Sequence, residues 1–291
     1  MGDAAHSHSP LGGQGMNVSM QDSYNLMWKL GAVLSERFDN AILDTYERER
    51  RPVAERLMRL DAKLVQAYEN GSTNSDKGVA ETREDYSGFM SGIELIYPPS
   101  NLVSSRGSSG SVSARHVKLG RRIDSVPVTT HCDGTRTQLA RYFPMNGSWR
   151  LLVFPGDLRE QGRMDLVTRF AEAFARCPSL AMLSRTSFGN EKSSIIESIL
   201  VHSGPTTAFN LLDLPDMFHP FDEELGWDYW KIFADDKEDS TGAGQAYKTY
   251  GIDEGGPCCL ILCRPDQHVA WIGDSEDVAG LDELFSRFVC T

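Results

Sequence analysis

The chain begins Met-Gly-Asp-Ala-Ala-His-Ser-His-Ser-Pro-Leu-Gly-Gly-Gln-Gly-Met-Asn, residues 1–17 of 291. An acidic side chain, Asp3, precedes two histidines, a proline and three closely spaced glycines. A carboxylate can accept hydrogen bonds from sugar-like hydroxyls, and the glycines allow close approach to the backbone. The helix predicted from Met16 directs its unpaired N–H groups, the positive end of its dipole, toward an anion. The stretch therefore predicts a dinucleotide-binding loop that opens a helix.

This stretch resembles the second flavin-binding motif of the class A FAD-dependent aromatic-ring hydroxylases, most closely that of the phenol 2-monooxygenases. The Tyr-Glu-Arg-Glu-Arg-Arg-Pro-Val-Ala string over residues 46–54 is similar to the same family. Because the family uses reduced FAD and oxygen to hydroxylate electron-rich rings, the resemblance implies FAD as cofactor and a small aromatic or polyketide-like substrate. The residues that it implies for FAD contact are Gly2, Asp3, Pro10, Gly12, Gly13, Gln14, Gly15, Met16 and Asn17.

The flavin site is expected to be incomplete. In the family this motif lies more than halfway through the flavin domain, whereas here it opens the sequence. A dinucleotide fold also needs a strand, a Gly-x-Gly-x-x-Gly turn, a helix and an acidic residue about 20 positions further on. The sequence contains no such unit, so residues 1–100 are interpreted as a remnant of an FAD-binding domain. A truncated gene model and a naturally shortened protein both remain open.

Apolar spacing predicts the helices of this first region. One helix is expected from Met16 to about Leu34. A second is expected to begin near Asn40, a residue type favoured at N-caps. Since the residue before a proline disfavours the helical conformation, that helix should break or kink at Arg51, and a third helix should follow Pro52.

A serine- and glycine-rich linker is predicted over residues 101–114, and a second domain over residues 115–291. A βαβ unit followed by a β-hairpin and a closing helix is the thioredoxin arrangement. The predicted fold class is therefore α/β, a helical FAD-domain remnant followed by a thioredoxin-like domain. Because the family uses that domain for dimer contacts, the resemblance implies a homodimer. The elements predicted in the second domain are strands at 149–154, 195–202, 258–263 and 269–272, and helices at 164–177, 246–250 and 281–288.

Thiol redox chemistry is not expected in the second domain. No cysteine follows the strand that ends at Phe154, where a thioredoxin has its nucleophile. Cys258 and Cys259 are interpreted as buried structural thiols. They follow Pro257, which lies where thioredoxins have a cis-proline, so the peptide bond before it is expected to be cis.

Composition narrows the function classes. A net charge of -12 argues against nucleic-acid binding. No apolar run could span a bilayer and no signal segment begins the chain, so neither a membrane nor export is expected. Six scattered cysteines lack metal-ligand spacing, which predicts no metal site and a cytoplasmic location.

Two other functions stay open beside the monooxygenase reading. The first is a cofactor-independent cyclase, isomerase or dehydratase that acts on an aromatic or polyketide-like metabolite. Its candidate acid–base residues are Asp3, His6 and His8, because a histidine near a carboxylate can transfer protons. The second is a non-catalytic dimerisation or partner module, which the thioredoxin-like half would support.

Overall fold

The computed structural model describes residues 1–69, 80, 84–105, 114–185, 194–236 and 244–290. Its α-helices are α1 (Gly15–Leu34), α2 (Asp44–Glu69), α3 (Ser87–Met90), α4 (Arg163–Arg176), α5 (Pro178–Arg185), α6 (Ala246–Tyr250) and α7 (Val278–Ser286). Its strands are β1 (Pro127–Thr130), β2 (Arg136–Gln138), β3 (Trp149–Phe154), β4 (Ile196–His202), β5 (Phe221–Asp222), β6 (Gly226–Trp227), β7 (Ile232–Ala234), β8 (Cys259–Cys263) and β9 (Val269–Asp274).

A mixed sheet in the order β2-β1-β7-β4-β3-β8-β9 forms the centre of the molecule. Strands β3, β4 and β7 run parallel to one another, whereas β8 is antiparallel to both β3 and β9. The β3–α4–α5–β4 unit, the β8–β9 hairpin and α7 reproduce the predicted thioredoxin arrangement. The sequence pattern predicted those four strands and missed β1, β2 and β7, which extend the sheet on one side.

Both faces of the sheet are covered. Every residue of β3 is buried, and its apolar side chains alternate between two hydrophobic clusters. Leu151 and Val153 lie in the cluster packed under α4, α5 and α7, whereas Leu152 and Phe154 lie in the cluster that contains α6. This period of two is the geometry of a strand, and burial on both faces explains its continuous apolar run.

Helix α1 and the segment between α1 and α2 pack onto the sheet through one aromatic cluster. Trp28, Phe38 and Ile42 belong to the same core as Trp149. The rings of Trp149 and Trp28 meet edge to face at 6.0 Å, and the ring of Trp149 stacks on Phe288 at 5.8 Å between centroids. The helical region is therefore anchored on the sheet. The boundary expected near residue 100, between the FAD-domain remnant and the second domain, stays a prediction.

The predicted N-cap and the predicted break of the second helix are both wrong. Asp39, not Asn40, is the N-cap: its carboxylate accepts a 2.8 Å hydrogen bond from the Ala41 N–H, and a 3₁₀ turn over Asn40–Leu43 leads into α2. Helix α2 then continues through Pro52. Pro52 and Arg48, whose carbonyl would lose its N–H partner, are both exposed, so water can hydrate that carbonyl.

Two further predictions concern loops. The peptide bond before Pro257 is not cis, because the structure contains no cis bond in the residues it describes. A turn closed by the Gly256 N–H on the Asp253 carbonyl reverses the chain just before this proline, so a trans bond leads directly into β8. Of the predicted linker 101–114, residues 106–113 lie outside the described residues. Leu102 and Val103 are buried.

Candidate functional site

The glycine-rich loop before α1 is tied to α2. The backbone N–H and the hydroxyl of Ser9 both donate to the carboxylate of Asp61, the former at 2.8 Å. A 3₁₀ turn over Pro10–Gly12 follows, and Gly13 adopts a left-handed conformation with φ +62° and no atom near the position of a Cβ. Gly13 is exposed, so the loop presents its backbone to solvent at this residue.

The N-terminus of α1 carries no side-chain cap in the part of the chain that the structure describes. Gln14 is the N-cap, yet its side chain makes no capping hydrogen bond, and the first turn has no acidic residue. Met16 and Asn17 in that turn are exposed. A Cβ at Gly15 would lie 2.7 Å from Nε2 of His8, so the imidazole packs directly against the helix start. The loop thus offers backbone N–H groups and a helix dipole to an anion.

Asp22 organises the Gly2–His6 turn from about two turns inside α1. Its carboxylate accepts hydrogen bonds from the Gly2 N–H at 3.2 Å and from Nε2 of His6 at 2.8 Å. Nε of Arg50 donates to its other oxygen at 2.6 Å. Gly2 has φ +57°, and a Cβ there would lie 2.9 Å from Oγ of Ser19, so glycine is required. The side chains of Asp22, His6 and Arg50 are all buried.

A second buried charge network lies next to the first. Arg264 donates to the carboxylate of Glu49 at 2.6 and 2.9 Å and to that of Asp266 at 2.6 and 3.0 Å. Nζ of Lys29 lies 2.8 Å from Glu49. Burial opposes ionisation of Asp266, but the charge of Arg264 outweighs it and lowers the pKa to about 2. Burial lowers the pKa of Lys29 to about 8.

Tyr97 connects the two networks. Its hydroxyl accepts a 3.1 Å hydrogen bond from Nη1 of Arg50, and its ring lies 5.0 Å from the guanidinium of Arg264 and stacks on His268 at 4.0 Å. Burial raises the pKa of Tyr97 to about 12, so it stays a neutral phenol. The loop that resembles a flavin motif is thereby coupled to the β8–β9 turn of the sheet.

The structure brings together only part of the predicted acid–base set. His6 pairs with Asp22 and not with Asp3, which is exposed and bonds neither histidine among the described residues. His8 lies 6.4 Å from His6 between ring centroids. The Nδ1 atoms of both histidines are buried without a protein partner in the parts of the chain that the structure describes.

Sequence reasoning missed Asp22, Arg50, Asp61 and Tyr97. One signal was available for the first of them. Asp22 and Lys29 are the only charged residues of α1, and a spacing of seven puts them on one face of the helix. Isolated charges in an otherwise uncharged helix are candidates for burial in ion pairs. The other three residues depend on tertiary contacts that local spacing does not encode.

Comparison with known protein families fits this geometry. A family model described as "Phenol hydroxylase, C-terminal dimerisation domain" matches residues 95–291, and one described as "FAD binding domain" matches residues 1–61. The chain belongs to the phenol hydroxylase dimerisation-domain family. This dimerisation-domain match contains the whole sheet, and the FAD-binding match contains the Ser9–Gly15 loop, α1 and the first two-thirds of α2.

Curated relatives of the phenol hydroxylase family match along nearly the whole chain. Phenol 2-monooxygenase fsqG of Aspergillus fumigatus is 34% identical over 98% of this chain and 46% of its own length. The 3-hydroxybenzoate 4-monooxygenase of Comamonas testosteroni is 34% identical over 99% of this chain and 45% of its own length. The chain therefore spans about half the length of the curated relatives it matches.

Solved structures show the same fold for this family member. The flavin-dependent monooxygenase PieE, solved with FAD and substrate, has a TM-score of 0.54 and 16% identity, covering 97% of this chain and 45% of that structure. The anhydrotetracycline hydroxylase OxyS of Streptomyces rimosus has a TM-score of 0.52 and 22% identity, covering 100% and 44%. Among the described residues, no helix is both long and apolar enough to cross a membrane.

Proposed function

We propose that this chain contributes part of the FAD site and the dimerisation domain of a flavin-dependent aromatic-ring monooxygenase of the phenol 2-monooxygenase type. The observation that carries the proposal is the exposed, uncapped start of α1 behind the left-handed Gly13. Backbone donors, a helix dipole and an open glycine are what an anionic dinucleotide needs. The matches to the FAD-binding model and to the named monooxygenases support it.

The residues present fit the pyrophosphate-facing part of FAD. The backbone of Gly12 to Asn17 would hold the anionic groups, and the exposed carboxylate of Asp3 would accept hydrogen bonds from ribityl hydroxyls. Asp22 acts through Gly2 and His6, because it fixes the turn that presents Asp3. When bound, FAD supplies the redox chemistry that activates oxygen toward the ring.

The substrate, assembly and location follow as parts of the same proposal. A small aromatic or polyketide-like compound is the substrate class, supported by the names of the relatives. A homodimer is the assembly, supported by the dimerisation-domain match. The cytoplasm is the location, supported by six cysteines that are all free thiols.

Flavin binding tests the proposal. FAD is titrated into the purified chain while quenching of flavin fluorescence is followed, with the wild type and Gly13→Val compared. A β-branched residue at φ +62° strains the loop, so the dissociation constant should rise at least about tenfold. Gly134→Val is the matched control, because Gly134 has φ +70° and equally open surroundings far along the sequence.

The outcome separates the local site from general damage. Both variants should lose similar thermal stability, but only Gly13→Val should weaken FAD binding. Equal affinities for the wild type and Gly13→Val would show that the Ser9–Gly15 loop does not hold the cofactor. No quenching at any FAD concentration would remove the flavin proposal for this chain.

A further inference from the structure

A hydrogen bond between Arg50 and Tyr97 joins the two regions that the family models match. Arg50 lies in the FAD-binding match, which ends at residue 61, and Tyr97 lies in the dimerisation-domain match, which begins at residue 95. Nη1 of Arg50 donates to the Tyr97 hydroxyl at 3.1 Å, and both side chains are buried. A buried guanidinium that loses an acceptor is costly, so this bond helps to fix where the guanidinium lies.

The sheet determines where the Tyr97 hydroxyl lies. The Tyr97 backbone N–H donates to the Gly120 carbonyl at 2.9 Å, and the same carbonyl lies 2.8 Å from Nδ1 of His268. The ring of Tyr97 stacks on that imidazole at 4.0 Å between centroids. Because His268 directly precedes β9, the hydroxyl is held by groups attached to the sheet and not by the helices that it contacts.

On the other side of the bond, the Arg50 guanidinium holds Asp22. Nε of Arg50 donates to one oxygen of Asp22 at 2.6 Å, and the other oxygen accepts from the Gly2 N–H and from Nε2 of His6. Three hydrogen bonds in series thus lead from the Tyr97 hydroxyl to the turn that begins at Gly2. A displaced guanidinium would leave the buried Asp22 carboxylate without its counter-charge, which disturbs the groups that this carboxylate holds.

A different contact attaches the helices to the same part of the sheet. The hydroxyl of Tyr24, in α1, donates at 2.7 Å to the carbonyl of Pro265, which lies between β8 and β9. This hydrogen bond does not pass through Arg50 or Asp22. The two tyrosine hydroxyls therefore separate attachment of the helices to the sheet from placement of the guanidinium.

We infer that Tyr97 is a positioning residue: its hydroxyl lets the sheet set the geometry of the Gly2–His6 turn, and with it the affinity of the chain for FAD. This inference rests on the proposed function, in which Asp3 of that turn contacts the ribityl hydroxyls. Tyr97 acts through Arg50 and Asp22, so no contact between Tyr97 and the cofactor is required. Because coupling between two sites is reciprocal, bound FAD should in turn stabilise the segment between β8 and β9.

Two tyrosine-to-phenylalanine variants test the inference by FAD titration. Tyr97→Phe removes the acceptor of Arg50 and keeps the ring that stacks on His268. The dissociation constant for FAD, followed by quenching of flavin fluorescence, should rise at least about fivefold. Tyr24→Phe is the matched control, because it removes the other hydroxyl between the helices and the sheet, and it should leave the dissociation constant unchanged.

Amide hydrogen exchange, measured by NMR, gives a readout that needs no FAD. The N–H groups of Ala5 and His6 donate to the Gly2 carbonyl at 2.8 and 3.1 Å, so their exchange rates report opening of this turn. Without FAD, both rates should be at least about fivefold faster in Tyr97→Phe than in the wild type. Tyr24→Phe should leave both rates unchanged.

The reciprocal effect is measured between β8 and β9. The Gln267 N–H donates to the Arg264 carbonyl at 2.9 Å, so its exchange rate reports opening of that turn. Saturating FAD should slow this exchange in the wild type and in Tyr24→Phe, and the slowing should be absent in Tyr97→Phe. A tyrosine that only stabilised the fold would not make exchange at Gln267 depend on the ligand.

An Arg50→Lys background separates positioning from general damage. A lysine ammonium keeps a positive charge beside Asp22 but lacks the planar guanidinium that also reaches Tyr97. If Tyr97 acts through Arg50, Tyr97→Phe should cause no further loss of FAD affinity and no faster exchange at Ala5 in that background. This cycle stays decisive even if Tyr97→Phe melts earlier, because general damage would appear in both backgrounds.

The outcomes separate this inference from the proposed function. With FAD bound by the wild type, the inference is overturned by an unchanged dissociation constant in Tyr97→Phe, by equal effects of the two tyrosine variants, or by a full additional effect in the Arg50→Lys background. It is also overturned if FAD does not slow exchange at Gln267. A chain that binds no FAD but shows faster turn exchange in Tyr97→Phe alone would overturn the proposed function and uphold Tyr97 as the residue that positions the turn. No FAD binding together with unchanged exchange would overturn both.

Discussion

The helical region combines apolar contacts with buried ion pairs, whereas the centre of the sheet is held mainly by apolar contacts. Strand β8 reads Cys-Leu-Ile-Leu-Cys and is buried throughout, with apolar neighbours on both faces. Helices α1 and α2 bury charges as well as apolar residues, with Lys29 and Glu49 packed against Arg264 from the end of β8. Apolar burial is non-directional and tolerates changes that conserve volume. A buried ion pair is directional and does not tolerate loss of one partner.

The comparison also explains why α1 is exposed on its apolar side. The ion-pair networks occupy the face of α1 that lies against α2 and the β8–β9 turn. Val18 and Trp28 are buried on the inner side together with the charges, whereas Met16, Met20, Met27 and Leu34 remain outside. The helical region is thus attached through directional ion pairs and leaves apolar side chains exposed, whereas the sheet is covered on both faces. Substitutions that conserve shape but change charge should separate the two regions.

The largest effect is expected at Glu49. Glu49→Gln keeps the shape but leaves Lys29 and Arg264 buried without their shared carboxylate. The free energy of unfolding should fall by about 3–5 kcal/mol, measured by urea denaturation. Glu47→Gln, two residues away in an exposed pair with Arg51, should change it by less than about 0.5 kcal/mol. Equal effects at the two positions would mean that the buried network does not anchor the helices.

The sheet should show the opposite dependence on chemistry. Leu260 of β8 is fully buried between Val153 of β3 and Gly273 of β9 in the ladder. Leu260→Ala should lower the free energy of unfolding by about 2–5 kcal/mol, because it leaves a cavity. Leu260→Met, which conserves volume, should cost less than about 1.5 kcal/mol. A costly methionine would show that this core is as selective as the ion-pair network.

Acid should affect the two regions in sequence. In the sheet, burial lowers the pKa of His202 from 6.5 to about 3, and its Nε2 lies 2.9 Å from Nδ1 of His131. Between those values the unfolded chain binds a proton that the native state does not, so stability is lost as pH falls. In the helical network, Asp266 has its pKa lowered to about 2, so its contribution is lost only below about pH 4.

Urea unfolding at several pH values measures this order. The free energy of unfolding should fall by roughly 2 kcal/mol between pH 7 and pH 4.5, mostly through His202. His202→Gln should flatten that dependence, although Asp157 and Arg159 still face the site. His116→Gln, at an exposed histidine, should retain the wild-type slope. A retained slope in His202→Gln would assign the acid sensitivity elsewhere.

Predictability from sequence follows the same division. Strands β3, β4, β8 and β9 are apolar runs bounded by turn residues, so local pattern locates them. Short β7 is part of the sheet because it pairs with β4 over three residues. A strand of three residues is too short for the local sequence pattern to predict that pairing. The resemblance supplied the nine expected FAD-contact residues, which stay predictions. Arg50 and Tyr97 required knowledge of which helix face meets which neighbour.

The smallest effect, and the one with the opposite sign, is expected at Pro52. The sequence rule that helices end before proline failed here because the buried stripe of α2 continues on both sides, from Glu49 to Val53 and Leu57. Tertiary packing therefore overrides a local penalty of about 3 kcal/mol for proline inside a helix. Pro52→Ala should raise the free energy of unfolding by about 2 kcal/mol, since proline recovers about 0.4–1 kcal/mol by restricting the unfolded chain.

Met58→Ala on the same helix is the control for this gain. Met58 is exposed, so alanine there should change the free energy of unfolding by less than about 0.5 kcal/mol. A gain at Pro52 alone shows that the attachment of α2 to its neighbours is strong enough to retain an unfavourable residue. A lower free energy of unfolding in Pro52→Ala would show instead that the proline sets the direction of α2. That direction places Glu49 in the ion-pair network and Asp61 in its contact with Ser9, so the helical region would owe its geometry to the proline as well as to charge.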